Sequence, residues 1–317
     1  MNSKQLVFFL KVVELSSIAA AARELNVAQP SISLQLANLE HELKTTLFER
    51  SFRGVSLTQS GNVFKAHAES LLRQIEQAKS DVQQLECSPS GSISIGMTQP
   101  IGNIISVPLL TLVEQRYPDI ELKFHTGFSY SLSKQLDSGE IDIAISSPDS
   151  SDNRHIKRTK LFREKIFLAV GYAPKTALLQ KLNGKKQITF EELADYDVIV
   201  TGVQDSLGYA LSQYEEQTSI KLKHKPEFGQ LMTTLRYVVD GYGVLLSPTS
   251  AFYHLQDSQQ IQAIEVVEPT LWRDVYLFTS TERPRTTILQ IVQSLIEEIV
   301  EAEWRSGAWK GELPVAL

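Results

Sequence analysis

Residues 17–40 read Ser17-Ile18-Ala19-Ala20-Ala21-Ala22-Arg23-Glu24-Leu25, then Asn26-Val27-Ala28, then Gln29-Pro30-Ser31-Ile32-Ser33-Leu34-Gln35-Leu36-Ala37-Asn38-Leu39-Glu40. In the first block Ile18, Ala21, Ala22 and Leu25 recur at helical spacing, with Ser17 placed to cap the helix. The middle block is a turn. The last block carries Pro30 in its first turn, where a missing N–H is tolerated, and sets Ile32, Leu36 and Leu39 toward a core. That leaves Gln29, Ser31, Ser33, Gln35 and Asn38 toward the exposed side, small or amide-bearing residues able to approach base edges and phosphates. Two short helices joined by a tight turn can push the second into a major groove. The pattern therefore predicts a surface for duplex DNA. Upstream, Leu6, Phe9, Leu10 and Val13 predict another helix, and downstream lie Leu47-Phe48-Glu49-Arg50, Arg53-Gly54 and Leu57-Thr58-Gln59-Ser60-Gly61.

Beyond Gly61, the residues Phe64, Ala68, Leu71, Ile75, Ala78, Val82 and Leu85 alternate spacings of four and three. Such a heptad stripe predicts a coiled-coil dimer seam; the same stripe also fits a single amphipathic helix lying on its own domain. Ser88-Pro89-Ser90-Gly91-Ser92 has the composition of a hinge. From Ile93 the pattern turns to short β-rich runs: Ile93–Met97, Ile120–His125, Ile141–Ser146, Ile166–Gly171, Val198–Thr201 and Val244–Ser247. Helical stretches separate many of them, as in Leu109–Tyr117, Leu132–Asp137, Leu207–Tyr214 and Leu231–Val239, and Ile288, Val292, Leu295, Ile296 and Ile299 mark a long amphipathic helix. The alternation predicts α/β units with largely parallel sheets.

With 317 residues the chain exceeds one ordinary core and is expected to form two or three domains. A formal net charge of −6 excludes a uniformly basic nucleic-acid coat. Up to Gly61, Lys4, Lys11, Arg23, Lys44, Arg50 and Arg53 stand against Glu14, Glu24, Glu40, Glu42 and Glu49. Phosphate affinity is thus expected to come from placement and from several copies acting together. The first residues, Met1-Asn2-Ser3-Lys4-Gln5, lack the apolar stretch of a signal peptide, no run has the length of a membrane span, and the one cysteine, Cys87, fits a reducing compartment. A cytoplasmic location is expected. The six histidines, His41, His67, His125, His155, His224 and His254, show no metal-ligand spacing, and there is neither a phosphate loop nor a serine elbow. No enzymatic activity, metal or cofactor is expected.

The ordered set of motifs resembles the LysR-type transcriptional regulators over nearly the whole chain. The resemblance is carried by the helix ending Arg23-Glu24-Leu25, by Gln29-Pro30-Ser31-Ile32-Ser33, by Leu39-Glu40, and by the run from Leu47 to Gly61. In the second half it rests on Ile95-Gly96, Pro108-Leu109-Leu110, Arg116-Tyr117-Pro118, Leu136-Asp137-Ser138-Gly139-Glu140-Ile141-Asp142-Ile143-Ala144-Ile145 and Asp240-Gly241-Tyr242-Gly243-Val244. The resemblance implies an α/β multidomain protein. A winged helix-turn-helix would occupy residues 1–58, a coiled-coil linker helix 59–87 and a hinge 88–92. A two-subdomain, periplasmic-binding-protein-like (type 2) α/β effector domain would occupy 93–317, with subdomain I about 93–162 and 269–304 and subdomain II about 163–268. It also implies a dimer of dimers on promoter DNA, a small-molecule effector, and RNA polymerase as a further partner. By the same analogy Gln29, Pro30, Ser31, Ser33, Leu34, Gln35 and Asn38 read DNA. The wing lies around Ser51–Leu57, Arg50 and Arg53 meet phosphate or a narrow minor groove, and Thr58 is a phosphate ligand. Arg50 also fits a structural ion pair. Many relatives carry glycine where this chain has Lys44. A left-handed residue there costs about 1 kcal/mol relative to glycine unless the turn closes differently.

In open α/β sheets ligands gather beyond the carboxyl ends of strands, near helix N-termini that favour anions. Relatives hold effectors at the position matching Thr98 and Gln99, next to Pro100; Gly127, Phe128 and Ser129 match a second strand end. Thr201 and Gly202 would face the same cleft from the other subdomain, with Phe228 at a crossover. The hydroxyls among these also suit plain helix caps. A solute-binding protein is the rival from another class. It would match residues 92–317, but it predicts an export signal and has no use for residues 1–61.

Overall fold

A computed structural model describes residues 1–51, 54–83, 89–148, 155–200, 202, 205–225 and 228–314, without the side chains at 50, 51, 73, 76, 77 and 79–83. Arg53, Thr201, Leu85, Cys87 and Ser88, and the side chains of Arg50 and Val82, therefore lie outside the described residues. The chain divides into two units, Met1–Gly91 with Asp137–Glu140, and Ser92–Leu136 with Ile141–Leu317.

The first unit contains α1 (Ser3–Leu15), α2 (Ile18–Glu24), α3 (Gln29–Leu43), β1 (Phe48–Ser51), β2 (Gly54–Leu57) and α4 (Gln59–Gln83). Asn2 and Gln5 form a reciprocal capping box at the start of α1. Ser17 Oγ accepts from Ala20 N at 3.2 Å and caps α2. Phe9, Val12, Ala21, Ile32, Leu36 and Leu39 have no exposure to solvent. Phe9 lies 5.1 Å from the Phe48 ring and 5.0 Å from the Phe64 ring. On α1 the buried apolar positions are Leu6, Phe8, Phe9 and Val12, while Leu10 and Val13 are only half-buried, so the helix is rotated slightly from the expected stripe. Lys44 closes α3 in the left-handed region, φ 54°; the turn keeps the geometry that glycine would serve better.

Glu40 Oε1 accepts from Leu47 N at 2.7 Å and Phe48 N at 3.1 Å, and so anchors the hairpin to α3. In the hairpin Phe48 faces Leu57 and Ser51 faces Gly54 across antiparallel strands. Gly61 is required by close approach, since a Cβ there would stand 2.1 Å from Leu47 O. The heptad stripe divides along α4. Phe64, Ala68 and Leu71 pack on the core of their own unit, with Ala68 fully buried. Ala68 is therefore removed from any seam with a partner. Ile75 is half-buried and Ala78 exposed.

The second unit begins with β3 (Gly91–Met97), α5 (Gln99–Arg116), β4 (Ile120–Thr126), α6 (Ser129–Ser138), β5 (Ile143–Ser146) and β6 (Ile156–Gly171). There follow α7 (Ala177–Gln180), β7 (Gln187–Thr189), α8 (Phe190–Leu193), β8 (Asp197–Ile199), α9 (Ser206–Thr218), β9 (Lys223–Lys225) and α10 (Leu231–Val239). It ends with β10 (Val244–Pro248), α11 (Tyr253–Asp257), β11 (Ile261–Val267), β12 (Trp272–Ser280), α12 (Thr287–Ser306) and β13 (Gly311–Glu312). Strands follow the order β4-β3-β5-β12-β6-β10-β8-β9 among the described residues.

The expectation of largely parallel sheets needs correction. β3 and β5 are parallel, as are β8 with β9 and β10, but β6 runs antiparallel to β10, β11 and β12. In the returning strands, polar residues interrupt the apolar runs, Gln262 and Glu265 in β11 and Arg273, Asp274 and Thr279 in β12. Two cores result. One gathers Ile95, Ile105, Ile143, Phe162, Val275 and Ile296; the other gathers Leu168, Val198, Leu211, Leu246 and Ile264. β6 contributes to both, passing from one to the other between Phe162 and Ile166. Gly241, at φ 80°, closes α10 where a Cβ would meet Ala173 O at 2.2 Å. No single helix among the described residues is long and apolar enough to cross a membrane.

Replacing Glu40 by alanine strands two backbone donors of the hairpin. We expect the variant Glu40→Ala to lose about 1.5–3 kcal/mol of stability in denaturant unfolding of the full chain; unchanged unfolding would show that the carboxylate does not hold the hairpin.

Candidate functional site

On α3 the inner stripe of Ile32, Leu36 and Leu39 is fully buried, so its opposite face is presented outward. Gln29, Pro30 and Asn38 are exposed, Ser31, Ser33 and Gln35 partly so, and Leu34 is 61% exposed. An outward leucine among amides and hydroxyls suits the thymine methyl as the polar groups suit base edges. Ala28 supplies no side-chain hydrogen bond at the start of α3, so no side chain competes for its first-turn N–H groups. The backbone of Arg50 pairs with Val55 in the hairpin.

The Thr58 hydroxyl donates to Thr46 O at 2.7 Å and accepts from Gly61 N at 2.9 Å, and so caps α4. Lys11 contributes no free charge. It pairs with Glu14 at 2.7 Å and Glu24 at 2.8 Å, and hydrogen bonds to these carboxylates, Glu14 foremost, raise its pKa.

In the second unit a cavity of about 600 Å³ opens among strand ends and helix starts. From the side of the first core, Thr98, Gln99 and Pro100 follow β3, and Thr126, Gly127 and Phe128 end β4. From the opposite side come Ile199 and Val200, Leu207 of α9, Leu231 and Thr234 of α10, and Leu245 and Ser247 of β10. The rings of Phe128 and Tyr130 stack at 5.8 Å, 8° from parallel. Asp205 ties the two sides together: its Oδ1 accepts from Ser129 N at 3.1 Å and Ser129 Oγ at 3.0 Å, while Ser129 Oγ accepts from Ser206 N at 2.9 Å.

Thr98, Gln99, Pro100, Gly127 and Phe128 thus line one cavity. Ser129 does not: it is fully buried and its hydroxyl is spent in the tie to Asp205 and Ser206. Gly202 is exposed and absent from the lining, its carbonyl accepting from Asp205 N at 2.9 Å. Phe228 packs on Tyr237 with ring centres 5.1 Å apart, and the lining passes instead to Gly229 and Gln230. Ser247, at the end of an anticipated strand, could have been found by the strand-end argument. Arg273 could not, because its strand β12 was unread. Among the described residues no group of three or more His, Cys, Asp or Glu is placed to hold a metal ion.

The tie at Asp205 makes a separate expectation. Asp205→Ala should lower stability by about 1.5–3 kcal/mol in thermal unfolding, whereas Asp205→Asn, which keeps an acceptor for Ser129, should recover most of the loss. Equal losses from the two would show that acceptance from Ser129 is not what Asp205 contributes.

A family described as bacterial regulatory helix-turn-helix protein, lysR family, matches residues 3–62, and one described as LysR substrate binding domain matches residues 88–302. The nitrogen assimilation regulatory protein nac of Escherichia coli (strain K12) is 27% identical over 303 residues, 95% of this chain and 96% of that protein. Among solved structures, a full-length OxyR variant from Pseudomonas aeruginosa superposes with a TM-score of 0.65 at 21% identity, covering 95% of this chain and 97% of that one. Full-length CbnR complexed with its target DNA gives 0.68 at 19% identity, covering 95% and 99%. These structural likenesses bear on the fold. With a helix-turn-helix match followed by a substrate-binding-domain match along one chain, the protein belongs to the LysR family of DNA-binding transcriptional regulators, which are not enzymes.

Proposed function

We propose that this protein is an effector-gated promoter-binding regulator in which residues 1–58 read duplex DNA and residues 59–87 join two copies. Residues 88–92 act as the hinge, and residues 93–317 bind a small molecule in the cavity between their two cores. The observation that carries the reading is the presence, in one chain, of an outward polar helix face and a separate cavity built at strand ends and helix starts. The solved complex of CbnR with its target DNA, a protein of the same fold, supports it. Gln29, Ser31, Ser33, Leu34, Gln35 and Asn38 enter the major groove, and Arg50 and Arg53 of the wing meet phosphates or a narrow minor groove.

A dimer sets the distance between two reading helices, and two dimers together offset the modest charge of each domain through effective concentration. Ligand closing the cavity favours one arrangement of dimers. Coupling of about 1–3 kcal/mol suffices to change promoter occupancy or DNA bending severalfold. The setting is the cytoplasm, with RNA polymerase as the downstream partner.

Footprinting of the full chain on DNA upstream of its own gene, with and without a panel of metabolites, tests the whole. Ser33→Glu and Gln35→Glu should abolish the footprint and leave the oligomer intact; a wild-type footprint from either would remove α3 as the reader. Ile75→Lys should split the dimer in sedimentation, since Ile75, unlike Ala68, is not consumed by its own domain. An unchanged profile would move the seam elsewhere.

A further inference from the structure

Between Phe162 and Ile166 strand β6 leaves one core and enters the other. The chain crosses back beside it, where Leu271 belongs to the second core and Val275 of β12 to the first. Movement of one core against the other therefore bends the paired strands at this crossover. The segment that follows α12 lies on that place. Gly307, at φ 81°, ends the helix and turns the chain back onto β6. Trp309 N donates to Glu303 O at 3.1 Å and Trp304 Nε1 donates to Gly311 O at 3.1 Å, so the returning segment is pinned to α12.

From that anchor the segment grips β6 on both sides of its crossover. Before it, the Trp309 ring lies 4.7 Å from the Phe162 ring, and Leu313 packs on the first core. At the crossover Trp309 Nε1 donates to Glu164 at 2.8 Å, Lys165 N donates to Lys310 O at 3.2 Å, and β13 sets Gly311 opposite Glu164. After it, Lys310 Nζ stands 5.5 Å from the centre of the Phe167 ring, a cation–π contact. Phe167 packs in turn with Ile199 and Leu245, and both of these line the cavity. The fit is close: a Cβ on Gly311 would stand 2.2 Å from Arg163 O. Glu164 has no exposure to solvent, so slippage of Trp309 would leave a buried carboxylate short of a donor. The segment lies beyond residue 302, where the match to the LysR substrate binding domain ends.

We propose that residues 307–314 are a strap that restrains movement of the two cores about the cavity. Turning one core against the other shifts Phe167 relative to Phe162, and the strap holds both. Whatever enters the cavity has to work against this restraint before the cores can close or open, so the strap regulates how far occupation of the cavity changes the shape of the second unit.

Distances between spin labels at Ser294→Cys on α12 and Glu216→Cys on α9, both exposed positions, report the separation of the two cores. The full chain is used in a Cys87→Ser background, with labelled chains diluted into unlabelled protein and no ligand added. Gly311→Val forces β13 off β6 and should raise the population of displaced arrangements about tenfold, read as a broadened distance distribution. Lys310→Ala removes only the exposed cation over Phe167 and should raise it about two- to fivefold. Glu301→Ala, which breaks an exposed ion pair with Arg305 on α12 and leaves the strap alone, should keep the wild-type distribution.

A wild-type distribution in folded Gly311→Val, or equal broadening by Glu301→Ala, would overturn the proposal. So would a wild-type chain whose distribution is already as broad as that of Gly311→Val. If circular dichroism shows Gly311→Val unfolded, Lys310→Ala decides by itself, and an unchanged distribution there overturns the strap. Because no ligand is present, failure of the effector reading in footprinting leaves this result as it stands.

Discussion

A carboxylate shut away from water has to be neutralised and given its full set of hydrogen bonds, and in the second unit that demand falls on Glu164. Meeting it requires Arg273 from β12, Ser250 from the turn after β10, and Trp309 from the segment after α12. Around the same point Lys165 N donates to Lys310 O at 3.2 Å, β13 pairs with β6, and the Phe162 and Trp309 rings lie 4.7 Å apart. The strand shared by both cores is thereby locked to the returning strand and to the chain's last helix. An apolar substitute for the whole cluster could be as stable, because desolvation consumes much of the Coulombic gain of a buried pair. What the polar version adds is a demand for one register, since a shifted strand would leave the carboxylate bare.

The cavity inherits its shape from that register. β6 and β12 carry the connection between the two cores, and helices begin at the cavity from both sides. The tie between Ser129 and Asp205 spans the same division at the starts of α6 and α9. The groups of this tie are thus fixed on both sides of the cavity. The first unit is organised differently. Its outward face on α3 carries hydroxyls, amides and the exposed Leu34.

The amino-terminal unit was largely legible because its elements are local. Ser17, Pro30 and the stripe of Ile32, Leu36 and Leu39 are read within a helix turn or two, and each stands where its pattern placed it. Leu231–Val239 was equally legible, bounded by its own apolar spacing. Long-range features were not. The first half of β6, with Lys157, Arg158, Lys160 and Arg163, reads as surface loop until β12 is found beside it. α5 starts well before Leu109 and holds Pro108 inside it, since a proline removes only one donor and a well-packed helix survives it. In the site, Thr98 and Phe128 were visible at strand ends, whereas the duty of Ser129 depends on a residue 76 positions away. Arg273 owes its place to a partner 109 positions distant.

The division of the apolar stripe along α4 has a mechanical meaning. Through Phe64, Ala68 and Leu71 the first half of α4 is part of the core of the first unit. The 25 residues of α4 make a shaft about 37 Å long. The packed half of α4 shares one core with α3, so the two keep a fixed relative orientation. On the proposed reading, a head keyed in this way to its shaft would convert small angular changes into a choice between matched and mismatched groove spacings.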